Sequence, residues 1–166
     1  MGHPLQISRR TEYGLRAMVY LASKPQSAVV PFREIAVRMD VPQDFLAKIL
    51  KKLVKERLAV SSRGARGGYS LGRPATEISM LDVIEAVEGP VQVNLCTDGG
   101  DNTHDGCAFT GACTMYGVWR LGQQRMIEVY RHAKLDKLAM AGLQAEADAE
   151  QRAAQPAVDL RRAALS

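Results

Sequence analysis

The 166-residue sequence predicts a mainly α-helical fold that carries one small β-hairpin and ends in a long helix. Three observations predict it. Apolar residues recur at helical spacing in four short stretches within the first 90 residues. One segment, Ala59 to Leu71, reads instead as two strands around a glycine-rich turn. A further helical pattern then runs from Thr114 to about Ala139.

The first helix spans about Ser8 to Ala22, with Ser8 as N-cap and Leu15, Met18, Val19 and Leu21 or Ala22 on its inner face. Lys24-Pro25 ends it. Pro31 suits the first turn of a second helix, Phe32 to Met39, with Ile35 and Met39 on one face. Asp40-Val-Pro42-Gln-Asp44 is a short break before a third helix, Phe45 to Arg57 or Leu58. Phe45, Leu46, Ile49, Leu50, Leu53 and Val54 are its expected inward set, and Lys48, Lys51, Lys52 and Lys55 form a basic stripe on the other face. The hairpin follows directly, with Arg63 and Arg66 at its tip. Ser79 caps a fourth helix, Met80 to Val87, expected to pack under the hairpin and ended by Gly89-Pro90.

Helix, tight turn, basic helix and basic hairpin, in that order, make a winged helix-turn-helix, the recognition helix being the third. Charge agrees. Residues 1–73 hold 14 Lys/Arg against five Asp/Glu, while residues 74–113 hold seven acids and no Lys or Arg. A basic first half calls for a polyanion, most simply double-stranded DNA, and the acidic segment would repel it. Gln43, Asp44 and Lys48, near the start of the third helix, are expected at base edges. Lys51, Lys52 and Lys55 are expected at phosphates, with Arg63 and Arg66 working from the wing.

The acidic segment contains all three cysteines, Cys96, Cys107 and Cys113, spaced C-x10-C-x5-C among glycines. Thiolates are soft ligands suited to zinc, copper(I) or iron–sulphur clusters. Zinc sites usually draw on a C-x2-4-C knuckle, which is absent. A fourth ligand has to come from His104, an aspartate, or elsewhere. A disulfide with one thiol left over is the plainer alternative, but it suits a chain without a secretory leader poorly.

The long helical pattern after Cys113 would span about 35 Å at 1.5 Å per residue, more than so small a domain covers. A partner subunit would cover the rest, and a two-fold dimer suits a palindromic operator. The expected organisation is a DNA-binding domain over 1–90, a cysteine loop over 91–113, a dimerisation helix over 114–140 and a frayed or flexible tail over 141–166. No apolar run is long enough for a membrane helix, and the expected location is the cytoplasm. Nothing supports an enzyme: there is no nucleotide-binding glycine loop and no nucleophile–base pair.

Five motifs carry a family resemblance. They are Ile7-Ser-x-x-Thr-Glu-Tyr13-Gly-Leu-Arg-Ala17-Met, Ile35-Ala, Leu46-x-Lys-Ile-Leu, Arg63-Gly-x-x-Gly-Gly-Tyr69-x-Leu and Leu81-x-Val-Ile-Glu-Ala-Val-Glu-Gly. Over about residues 5 to 140 the chain resembles the Rrf-two (BadM-type) bacterial regulators, and within them the iron–sulphur branch typified by IscR, NsrR and RirA. The resemblance implies a homodimeric, DNA-binding transcriptional regulator, most simply a repressor, sensing iron or cluster status, redox stress or nitric oxide. It implies a [2Fe-2S] or [4Fe-4S] cluster on Cys96, Cys107 and Cys113, although the gap of ten after Cys96 exceeds the usual one. It also implies a fourth ligand from the first helix of the partner subunit, a position occupied here by Glu12; His104, whose imidazole also binds iron but which lies away from the family's usual position, is the competing ligand. The alternative is a clusterless regulator of the same fold, controlled through its thiols or a protein partner.

Overall fold

A computed structural model describes residues 7–64, 66–94, 109 and 112–154. Its elements run α1 (Arg9–Ala22), α2 (Phe32–Arg38), α3 (Gln43–Lys55), β1 (Ala59–Ser62), β2 (Gly68–Leu71), α4 (Met80–Glu88), α5 (Tyr116–His132) and α6 (Leu135–Ala154).

Local chemistry sets most boundaries. Ser8 caps α1 by accepting the Thr11 N–H on its hydroxyl. Ser79 and Asp82 form a reciprocal capping box on α4, each side chain accepting the other residue's backbone N–H. Pro31 and Pro42 stand at the N-caps of α2 and α3, where a missing N–H costs nothing. With Pro42 there, α3 begins at Gln43, two residues before the expected start.

The core lies where α1, α3 and α4 meet, with α2 beside them. Met18, Ile35, Leu46, Ile49, Leu50, Leu53, Ile78, Val83, Val87 and Leu135 are its largest fully buried apolar side chains. Four of the six expected inward residues of α3 are buried. Val54 is half-buried and Phe45 is 50 % exposed, its ring edge-on to Tyr13 at 6.3 Å. Phe45 lies in the first turn at the margin of the apolar stripe, where spacing alone does not separate rim from core.

The hairpin pairs Ala59 with Leu71 and Ser62 with Gly68, antiparallel. It is docked by a bridge in which Val30 and Tyr69 exchange backbone hydrogen bonds of 2.8 and 2.9 Å. Gly68 permits this approach, because a Cβ there would lie 2.2 Å from the Val30 carbonyl oxygen. The fourth helix departs from expectation: α4 packs against α1, α3 and α5 rather than under the hairpin. Leu81, Val83, Ile84 and Val87 are buried on it.

The long C-terminal pattern is two helices rather than one. The chain leaves helical geometry at Ala133 and Lys134, where Lys134 bridges Ser79. There the Met80 N–H donates to the Ala133 carbonyl at 2.8 Å and the Leu135 N–H to the Ile78 carbonyl at 2.9 Å. Those bonds replace helical ones and turn Leu135, fully buried, into the core. Residues 141–154, expected as a frayed helix or flexible tail, continue α6, which packs its first turns on α1.

Candidate nucleic-acid interface and cysteine site

The exposed face of α3 presents the residues named for DNA. Gln43, Asp44, Lys48, Lys51 and Lys55 are exposed on the side away from buried Leu46, Ile49, Leu50 and Leu53. Gln43 and Asp44 occupy the first turn, the end that enters a groove in helix-turn-helix docking. Arg63 and Arg66 are exposed in the turn of the hairpin beyond β1. The wing thus follows α3 with its cations free of the core.

Lys52 differs from its neighbours. Its Nζ donates to the carbonyl oxygen of Val87, in the last turn of α4. The last four carbonyls of a helix have no intrahelical partner, and a lysine ammonium both satisfies one and suits the negative end of the dipole. The helical spacing that grouped Lys52 with Lys48, Lys51 and Lys55 gave no sign of this bond.

Of the cysteine site, Cys113 is described: a half-buried free thiol three residues before α5. Cys96, Cys107 and the competing ligand His104 lie outside the described residues. Glu12 sits in the first turn of α1 and forms an ion pair with Arg16 one turn on, both side chains being about half exposed (49% and 43%). Among the described residues no group of three His, Cys, Asp or Glu side chains is placed to hold a metal.

Sequence reasoning did not find the ties around the end of α4. Ser8, the cap of α1, donates its hydroxyl to Glu88 Oε1. Beyond Gly89-Pro90, the Val93 N–H donates to Gln123 Oε1 on α5 at 2.9 Å. α5 itself buries no residue, and Met115, Val118, Leu121 and Val129 along it are 55–70 % exposed.

The family model for Rrf2, described as an iron-dependent transcriptional regulator, matches residues 7–141. The chain belongs to the Rrf2 family. A Mycobacterium tuberculosis protein named as an HTH-type transcriptional regulator is 37% identical over 139 residues, which cover 84% of each chain. The HTH-type transcriptional regulator IscR of Pectobacterium carotovorum is 29% identical over 134 residues, covering 81% of this chain and 79% of that one. Among solved structures, CymR, the global cysteine regulator of B. subtilis, superposes with a TM-score of 0.67 at 26% identity over 82% of this chain and 98% of its own. IscR of T. potens gives 0.64 at 28% identity over 82% and 88%. This Rrf2 chain is accordingly a winged-helix transcriptional regulator and not an enzyme, as the motifs implied. Among its described residues no helix is long and apolar enough to cross a membrane.

Proposed function

We propose that this Rrf2 protein is a cytoplasmic, homodimeric repressor that binds a palindromic operator and adjusts its affinity through an iron–sulphur centre on the cysteine segment. The observation that carries the DNA-binding part is the exposed, basic outer face of α3 followed by the arginine-tipped wing. Gln43, Asp44 and Lys48 reach base edges, Lys51 and Lys55 neutralise phosphates, and Arg63 and Arg66 lie along the minor groove.

The dimer rests on α5. Met115, Val118, Leu121 and Val129 share one exposed face at helical spacing. Gly122 interrupts that face in mid-helix, and a Cβ built there meets nothing within 4 Å. A glycine in a helix interior costs about 0.5–1 kcal/mol relative to alanine. No neighbour among the described residues calls for it, but close approach of a second copy would.

The donor chemistry of the cysteine segment fits the cluster that the family description suggests. Three thiolates, Cys96, Cys107 and Cys113, would hold the iron, and Glu12 of the partner subunit would supply the fourth ligand, with His104 as the competitor. Such a centre supplies reversible response to iron supply, oxidant or nitric oxide. The half-exposed Glu12 is reachable by a second copy once it leaves Arg16. That pairing favours a second reading, a clusterless regulator controlled through its thiols or a protein partner, in which Glu12 only braces α1.

Anaerobically purified protein separates the two. Matched iron and acid-labile sulphide with visible absorption bands is the expected result. Glu12→Ala should then alter the visible spectrum while far-ultraviolet circular dichroism stays unchanged. Colourless protein that resists reconstitution would leave the thiol-regulated reading. Operator affinity should fall steeply with salt, since each neutralised phosphate contributes about 0.9 to the logarithmic slope.

A further inference from the structure

Of the four lysines on the recognition helix, one is already engaged inside the chain. All four are exposed, but Lys52 Nζ donates to the Val87 carbonyl, whereas Lys48, Lys51 and Lys55 have no such bond among the described residues. Val87 is itself fully buried, and α4 packs on both α1 and α3, so the Lys52 bond ties α3 to the end of α4.

The helix end that Lys52 holds is a junction. Ser8 of α1 binds Glu88 in the same turn. Four residues beyond Gly89, the Val93 N–H binds Gln123 of α5 at 2.9 Å. The end of α4 is thereby tied to the first helix, to the recognition helix and, through a short described segment, to the helix bearing the exposed apolar face.

We propose that Lys52 is a positioning residue rather than a phosphate contact: it fixes the roll of α3 against α4 so that Gln43, Asp44 and Lys48 face the groove. This rests on the DNA-binding reading above and adds a division of labour within it. Lys51 and Lys55 contribute counterion release, which is independent of sequence. Lys52 contributes to discrimination, because a rotated α3 still attracts phosphate but misplaces its base contacts. A displacement of α5 would reach α3 by this route, through Val93, the end of α4 and Lys52.

The test measures affinity against salt for two duplexes, one selected from a randomised pool by the wild-type protein and one of mixed sequence. Lys51→Met should reduce the logarithmic salt slope by about 0.9 per protomer on both. Lys52→Met should keep the wild-type slope on both and weaken only the selected duplex, by up to about fivefold, the limit set by one hydrogen bond that holds α3 in its bound orientation. Lys52→Arg, which can still donate to the carbonyl, should recover that loss. A slope lowered by Lys52→Met as much as by Lys51→Met would make Lys52 a phosphate contact and overturn the proposal. Unchanged affinity of Lys52→Met for the selected duplex would overturn it equally. A wild-type protein with no salt-dependent affinity for either duplex would remove the DNA-binding reading and this proposal together.

Discussion

Asp40 and Arg57 adopt left-handed backbone, with φ of 50° and 57°, and they end the two helices of the helix-turn-helix. Each closes a six-residue C-cap. The Val41 N–H reaches the Ala36 carbonyl at 2.9 Å after α2, and the Leu58 N–H reaches the Leu53 carbonyl at 2.9 Å after α3. Asparagine and aspartate tolerate this conformation better than long side chains do. Asp40 is therefore a reasonable residue in the turn, whereas Arg57 carries strain that glycine would remove. Arg57→Gly should raise stability by about 0.5–1 kcal/mol, read from urea denaturation midpoints at unchanged slope. A lower midpoint would mean that the Arg57 side chain contributes more than its backbone costs. Arg57 is exposed, which argues against that.

At the scale of elements, the break between α5 and α6 lets the start of α6 join the core of the first four helices. Leu135 is fully buried in the core, at 0% accessibility, and the bridge from Lys134 to Ser79 holds it there. Leu135→Ala should cost about 2–5 kcal/mol, and thermal melting should show the winged domain destabilised as a whole rather than α6 alone. This element also shows where the sequence stops being legible. α1 and α4 could be read from Ser8 and Ser79, because capping is local chemistry written within four residues. The hairpin could be read because its arginine turn and glycines are local as well. The break at Ala133 has neither glycine nor proline to mark it, and its cause is Ile78 and Ser79, more than fifty residues earlier. The Lys52 bond to Val87 was illegible for the same reason. Spacing along α3 gives the angular position of a lysine but not the carbonyl of another helix waiting beside it. Cys96 and Cys107 were legible as candidate ligands and lie outside the described residues, so their grouping remains a proposal from chemistry.

At the scale of the molecule, charge and apolar surface are segregated, and each region needs a different partner. The basic first 73 residues carry the proposed reading face, while α5 leaves a row of apolar side chains exposed. In the proposed dimer one winged domain would read half a palindrome. Two joined through α5 would gain from linkage, since the second half-site would then bind intramolecularly, an advantage of about 10²–10⁴ in apparent affinity when the geometry fits. Val118 is the better place to break the pairing, being 70 % exposed and so dispensable to the fold of one chain. Val118→Asp should give a folded monomer by sedimentation, with the melting of the winged domain preserved. Its affinity for a mixed-sequence duplex should fall only modestly, whereas affinity for a selected palindrome should fall by at least about a hundredfold. The divergence between the two duplexes is the informative quantity, because an aspartate that merely repelled DNA would weaken both alike. A Val118→Asp protein that stayed dimeric would move the interface off this face of α5 and leave Gly122 without a role.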